Sequence, residues 1–393
     1  MFGFEYYTPT RVIFGSGSEN RVGELVRAYG AQKVLIVYGG KSAIASGLLG
    51  RVKAALERSG VSHVELGGVV PNPHLAKVRE GITLGGQEKV DLILAVGGGS
   101  VIDTAKAISY GLAEPESDVW ELFIGKREAK RILPVGSILT IAASGSETSN
   151  SCVITNEATG EKRAYDDDLA RPKFAIMDPE LTMSLPDYQT ASGCADIMMH
   201  TMERYFTNGG NMELTDALAE GLLRTVMKYA QVLHREPANY EARAEIMWAG
   251  SLAHNGLTGC GNDGGDFVPH MLEHEMGGMF DVTHGAGLAA IWSSWARYVY
   301  RDCLPRFVRF AVNVMGVTPA ESDEETARRG IAAMEAFYHS IGMPTSMREL
   351  GIAPTDEQIL EMAESCANAV GGRKGSAKVL YQRDFAEIYR MAR

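Results

Sequence analysis

The sequence predicts an α/β half built on a parallel sheet, followed by an all-helical half. Two observations predict it. Apolar runs alternate with amphipathic stretches as far as Pro186, and beyond it helical periodicities recur with almost no strand signal. A chain of 393 residues is also long for one core, so two domains are expected. The expected division is residues 1–186 and 187–393.

The elements follow in order. Lys33 to Tyr38 reads K-V-L-I-V-Y, a buried strand closed by Gly39 and Gly40. Ser42 to Arg58 follows as a helix with Leu48, Leu49, Val52 and Leu56 on one face. Val64-Glu65-Leu66 is the second strand, and Pro71-Asn72-Pro73 is a turn. Leu75 to Gln87 reads as a helix despite its interior glycines. Asp91 to Val96 is a third strand, and Gly97-Gly98-Gly99-Ser100 opens a helix that runs through Ile108. Ile132 to Thr140 supplies another apolar strand. Strand–helix alternation of this kind implies a parallel sheet covered by helices. In the second half, Thr215 to Leu233, Tyr240 to Ala253 and Thr326 to Tyr338 carry helical periodicities.

Composition excludes several functional classes. A net charge of −11 with no long basic run argues against nucleic-acid binding. No run of about 18 apolar residues is present, so no membrane span is expected. The opening Met1-Phe2-Gly3-Phe4-Glu5-Tyr6-Tyr7 lacks the charged and apolar regions of a secretory signal. Cys152, Cys194, Cys260, Cys303 and Cys366 are scattered, with no C-x-x-C pair. Reduced, buried thiols in a cytoplasmic protein are the expectation.

Three patterns carry chemistry. Asp196 and His200 are four apart, hence one turn apart on one helix face. His270 and His284 are too far apart in sequence to share an ion on one helix, which would separate them by about 21 Å. The chain must break between them, and Gly277-Gly278 is the expected break. One carboxylate with three imidazoles leaves a divalent ion net positive and able to acidify a bound hydroxyl. The turn Gly97-Gly98-Gly99-Ser100 lets backbone amides approach a phosphate at a helix N-terminus. A tight turn capped by Ser100 is the alternative, and the pattern is not G-x-G-x-x-G. The polar turn Thr140 to Ser149 offers hydroxyls and small residues to a ribose or nicotinamide; the alternative is a solvated turn.

Taken together, these residues resemble the iron-containing alcohol dehydrogenase family, and within it the butanol dehydrogenase-like, NADPH-dependent aldehyde reductase branch. The likeness runs through Pro9 to Gly15, Gly97 to Ser100, Thr140 to Glu147, Asp178 to Glu203 and His270 to Gly285. It implies a Rossmann-like nucleotide-binding domain and a helical metal-binding domain, the dehydroquinate synthase-like fold, in a homodimer or larger homo-oligomer. It implies Asp196, His200, His270 and His284 as ligands of one divalent metal, Fe(II) or Zn(II). His274 is implied as a substrate-side histidine that relays a proton without binding the ion. Asp281 is a candidate to orient His284, or else a turn cap, and Glu203 reads as structural.

The resemblance further implies Gly97, Gly98, Gly99 and Ser100 at the pyrophosphate, Asp103 toward the nicotinamide, Thr140 and Ser144 as cofactor-contacting hydroxyls, Lys162 at the ribose, and Pro71 and Asn72 on the adenine side. The implied reaction moves a hydride between NADP(H) and a small primary alcohol or aldehyde such as butanol or butanal. NADP(H) is expected over NAD(H) because Gly39, Gly40, Lys41 and Ser42 follow the first strand with no acid to repel a 2′-phosphate. Among alternatives, a 3-dehydroquinate synthase-like enzyme would need a basic cluster, whereas Lys and Arg are sparse between residues 190 and 290. A glycerol dehydrogenase-like enzyme shares the fold. A metal-dependent hydrolase leaves both turns unexplained, and a non-catalytic metal module does not suit a Cys-free ligand set.

Overall fold

The computed structural model describes residues 1–393, which divide into two compact units. Thr8–Ser184 form the first; Leu185–Arg393, together with Met1–Tyr7, form the second. The opening residues thus go with the helical unit and not with the sheet that follows them, and the Phe2 N–H donates to the Gly261 carbonyl at 2.9 Å.

The first unit holds strands β1 (Arg11–Phe14), β2 (Lys33–Tyr38), β3 (Ser62–Leu66), β4 (Leu92–Gly97), β5 (Val135–Leu139), β6 (Ser151–Asn156), β7 (Glu161–Asp166) and β8 (Phe174–Met177). Its helices are α1 (Val22–Ala28), α2 (Ser42–Ala45), α3 (Leu48–Arg58), α4 (Leu75–Glu88), α5 (Gly99–Ala113) and α6 (Trp120–Phe123). Six strands make one sheet in the order β1-β8-β5-β4-β2-β3, every pair parallel. Val34 to Val37 and Leu92 to Val96 are wholly buried, each large side chain contributing about 1.5–3 kcal/mol of transfer free energy. β6 and β7 form a separate antiparallel hairpin.

The expected helix from Ser42 to Arg58 is two helices, because Gly47 takes φ 72 and interrupts it. The expected strand from Ile132 is shorter at its start, since Pro134 precedes the first ladder residue and has no N–H to give.

The direction of strand progression reverses between β2 and β4: β3 lies outward from β2, while β5 lies outward from β4 on the other side. Ligands of open parallel sheets sit at the carboxyl ends beside such a reversal. Tyr38 pairs with Val96 and Gly97 with Leu139. The turns beginning at Gly39, Gly98 and Thr140 therefore leave the same edge as neighbours.

The second unit is helical: α7 (Asp187–Tyr205), α8 (Glu213–Arg235), α9 (Tyr240–His254), α10 (Val268–Phe280), α11 (His284–Val299), α12 (Leu304–Asn313), α13 (Asp323–Ser340), α14 (Met347–Leu350), α15 (Asp356–Ala369) and α16 (Gln382–Ala392). α7 is central and buried along nearly its whole length, packed against α8, α9 and α11. No helix is long and apolar enough to cross a membrane. The expected break at Gly277-Gly278 does not occur, since α10 runs through both and stops at Phe280. Asp281 ends it in the left-handed region, φ 49, and α11 starts at His284. Helical hydrogen bonds and the packing of α10 outweigh the roughly 1 kcal/mol per glycine that propensity charges.

Candidate metal centre and cofactor turns

α7 carries Asp196 and His200 one turn apart, with His200 Nε2 3.3 Å from Asp196 Oδ1. α10 brings His270 Nε2 to 3.7 Å from the same oxygen, and the first residue of α11 brings His284 Nε2 to 3.7 Å. A tetrahedral ion with bonds of about 2.0–2.1 Å has donor–donor edges of about 3.3 Å, close to this spacing. The sequence makes the approach possible at Gly285. A Cβ there would lie 2.0 Å from the Ser192 carbonyl oxygen, so only glycine lets the start of α11 touch the α7 backbone.

The two histidines from outside α7 are held from behind. His270 Nδ1 hydrogen-bonds to Glu203 Oε2, and the His270 backbone N–H donates to Glu203 Oε1 at 2.9 Å. His284 Nδ1 hydrogen-bonds to Glu273 Oε2. Each carboxylate fixes the ring so that Nε2 faces Asp196, the arrangement that orients imidazoles around a metal. Glu203, read from sequence as merely structural, and Glu273, not singled out, both belong to the site. A signal for each was present. Glu203 lies seven residues after Asp196 and three after His200, on the same helix face, and Glu273 lies three after His270. Asp281, a candidate to orient His284 or to cap a turn, is exposed and caps α10 in the left-handed region.

The donor set fits a metal. Asp196 Oδ1 and His270 Nε2 are buried with no hydrogen-bond partner in the protein, a costly state unless something else satisfies them. Burial, with His254 and His270 alongside, holds His200 well below the usual imidazole range, hence neutral and ready to ligate. Burial pulls His270 down, but Glu203 and Asp196 outweigh it and push the imidazole up to about 9. A metal bound there would compete with a proton for Nε2. Asp196, His200 and His270 are 4–6 % exposed while His284 is 27 % exposed, so the cluster opens on the His284 side.

His274, one turn along α10 from His270, is buried with its ring 5.8 Å from that of His284 and 6.3 Å from that of His270. Donor atoms of Asp196, His270 and His284 lie within 4.8 Å of one another, and so do those of Glu273, His274 and His284. His284 joins the two groups. Glu273 is already engaged by the His284 ring, which leaves the Asp196 group as the better cation cage.

On the sheet, β4 ends at Gly97, Gly98 is extended, and α5 begins at Gly99. Ser100 lies inside the helix and does not cap it. Gly99 permits close packing of the neighbouring turn, since a Cβ there would meet Ser144 Oγ at 2.3 Å. The Thr140 N–H donates to the Gly97 carbonyl at 3.1 Å. Thr140, Ser144 and Ser100 are partly exposed. The Asp103 carboxylate accepts from Ser146 Oγ at 2.5 Å and from the Val153 N–H at 3.1 Å. One turn on, the fully buried Lys106 ammonium donates to Ser146 Oγ and to the Ser149 and Ser151 carbonyls at 2.7–3.0 Å. Asp103 and Lys106 thus fasten the polar turn to α5. Gly39 is half-buried, while Gly40, Lys41 and Ser42 are exposed. Pro71 is exposed, Asn72 takes φ 51, and Lys162 is buried on β7 opposite Thr155.

Residues 9–179 match the family described as iron-containing alcohol dehydrogenase, and residues 190–392 match the C-terminal part of the Fe-containing alcohol dehydrogenase family. NADH-dependent butanol dehydrogenase A of Clostridium acetobutylicum is 39% identical over 391 residues, covering 99% of each chain. NADPH-dependent aldehyde reductase YqhD of Escherichia coli is 37% identical over 359 residues, covering 90% of each. The solved structure of NADH-dependent butanol dehydrogenase A from Thermotoga maritima superposes with a TM-score of 0.96 at 37% identity, covering 100% of this chain and 99% of that one.

Proposed function

Since this chain belongs to the iron-containing alcohol dehydrogenase family and is an alcohol dehydrogenase and aldehyde reductase that uses a nicotinamide cofactor and a metal, we propose that it interconverts small primary alcohols and aldehydes, such as butanol and butanal, using NADP(H) and one Fe(II) or Zn(II) held by Asp196, His200, His270 and His284. The observation that carries this is the approach of three imidazole Nε2 atoms to one unpartnered, buried carboxylate oxygen.

When bound, the ion polarises the substrate oxygen and the nicotinamide gives or takes the hydride. The protein's own work is positional. Glu203 and Glu273 hold two imidazoles in register, and burial of Asp196, His200 and His270 on α7 and α10 keeps water from most of the cluster. His274 holds the proton that the substrate oxygen gains or loses, and His284, the most exposed of the cluster, lies beside it on the way to solvent. Gly97 to Ser100 would hold the pyrophosphate of the dinucleotide, Thr140 and Ser144 would offer it hydroxyls, Lys162 would serve the ribose, and Pro71 and Asn72 the adenine side. The Asp103–Ser146–Lys106 network supports that surface from beneath.

Two features support NADP(H): the exposed Gly39 to Ser42 turn contains no acid, and Lys41 adds positive charge. Names of relatives fall on both sides: two NADH-dependent and two probable NADH-dependent butanol dehydrogenases, and the NADPH-dependent aldehyde reductase. A cytoplasmic homodimer completes the reading; exposed Phe2, Phe4, Tyr6 and Tyr7 near the N-terminus support the self-association.

The test is nicotinamide absorbance with butanal before and after chelation, then after adding back Fe(II) or Zn(II). Loss and recovery of turnover are expected, and His270→Ala should lose metal and turnover together while remaining folded. Full turnover in demonstrably metal-free protein overturns the reading.

A further inference from the structure

The three histidines of the cluster are not supported alike. His270 and His284 each have a carboxylate behind Nδ1. His200 has none, and its Nδ1 is buried without a hydrogen-bond partner. What His200 has instead is another ring. His254, the last residue of α9, stacks on it with ring centroids 3.8 Å apart and planes 19° apart. His270 lies against His200 as well, at 4.4 Å and 30°. Two rings this near and this close to parallel cannot sit side by side on one imidazole face. His254 and His270 therefore occupy opposite faces, and His200 is the middle of a stack of three imidazoles. His254 lies on the outer side, away from His270.

We propose that His254 is the positioning residue of His200: its flat face fixes the ring plane that a carboxylate fixes for the other two histidines. The proposal rests on the metal reading of the cluster. The physical need is specific. An imidazole with no hydrogen bond at Nδ1 is free to rotate about its Cβ–Cγ bond, and rotation swings Nε2 off the shared centre. A ring on each face blocks that rotation. α9 packs directly against α7, so the clamp is anchored to the helix that carries Asp196 and His200. Stacking uses the face of the ring and not its nitrogens, so a flat apolar ring should replace it and a branched aliphatic of similar bulk should not.

The experiment measures Zn(II) affinity of the full chain by competition with a chromogenic chelator, for wild type, H254A, H254F and H254L. Thermal unfolding of the metal-free forms is recorded beside it. H254A is expected to weaken Zn(II) binding about 10- to 100-fold, the usual cost of losing a group that orients a ligand. H254F should restore most of the affinity and H254L should not, with the metal-free H254F and H254L proteins unfolding alike. If H254A does not fold, the comparison of H254F with H254L still decides. Equal affinity for those two, or no loss in H254A, overturns the stacking role. Wild type that binds no stoichiometric Zn(II) overturns the metal reading itself, which is a different failure.

Discussion

Glu203 holds His270 twice, through the ring Nδ1 and through the backbone N–H at 2.9 Å. A residue of α7 thereby sets both where α10 begins and how its first histidine is turned. Glu203→Gln keeps the size but can present only one acceptor oxygen, so either the ring or the backbone loses its partner. The expected result is metal affinity lower by about 10- to 100-fold, read by chelator competition. Glu273 serves one donor, so the matching test is Glu273→Leu, which leaves His284 Nδ1 without an acceptor and should lower affinity likewise. Unchanged affinity in both variants would show that the carboxylates only fill space.

His274 should behave differently from its neighbours. It is one turn from His270 on α10, yet its donor group forms with Glu273 and His284 and does not include Asp196. His274→Ala is expected to keep near-normal metal content and to lose rate by roughly 10²- to 10⁴-fold, as for a group that moves a proton. Metal analysis beside steady-state kinetics checks it. Metal loss as large as that of His270→Ala would make His274 a ligand.

The contrast between what the sequence displayed and what it hid has a physical pattern. β2 and β4 were legible because both of their faces are buried, which leaves an unbroken apolar run. β6 and β7 were not, because their hairpin is half solvated and mixes Lys162 and Arg163 with short apolar stretches. Asp196, His200, His270 and His284 stood out as unusual residue types in helical contexts. Glu203 and Glu273 did not, since a glutamate in a helix is ordinarily on its solvated face, and only burial and the ring opposite reveal the role. The break in front of His284 was correctly demanded by distance but misplaced at Gly277-Gly278: glycine permits a break, and packing decides whether one happens.

Gly285 is the test of how tightly the cluster depends on backbone contact. A Cβ at this position would stand 2.0 Å from the Ser192 carbonyl oxygen, an atom that cannot move without moving α7. Gly285→Ala is expected to cost roughly 1–3 kcal/mol by overpacking and to push His284 away from Asp196. Denaturant unfolding and metal content should both fall. A variant that loses stability but retains full metal affinity would mean that α11 can shift without carrying His284 with it.

Asp266 gives a pH dependence. It lies in the loop leading into α10, fully buried, and accepts backbone N–H bonds from Val268, Ser376 and Ala377. Burial pushes its carboxyl from 3.8 up to about 7, against the pull of those donors. The folded value lies above the unfolded one, so its contribution to stability is fully present below 3.8 and is lost as pH rises through about 7. The stability of wild type relative to Asp266→Asn should therefore decline as pH rises from 3.8 to 7, measured by denaturant unfolding of the metal-free proteins. A difference that stays flat across that window would mean that Asp266 does not titrate there.

Gly39 is where the proposed choice of cofactor can be tested. In dinucleotide folds an acid near the end of the second strand typically binds the ribose 2′-hydroxyl and repels a 2′-phosphate. Here β2 ends at Tyr38, and Gly39, Gly40, Lys41 and Ser42 follow with no carboxylate. Gly39 can accept a side chain: a Cβ there would meet the Val69 carbonyl oxygen at 3.4 Å and Val101 at 3.8 Å, ordinary contacts. Its φ lies outside the left-handed region, so the backbone does not resist a substitution. Gly39→Asp should thus fold normally and act through charge alone. Wild type is expected to prefer NADPH by kcat/KM with butanal. The variant should lose NADPH efficiency through repulsion of the phosphate and shift toward NADH. A wild-type preference for NADH would refute the reading of the turn. A variant whose preference does not move would place the 2′-phosphate away from Gly39.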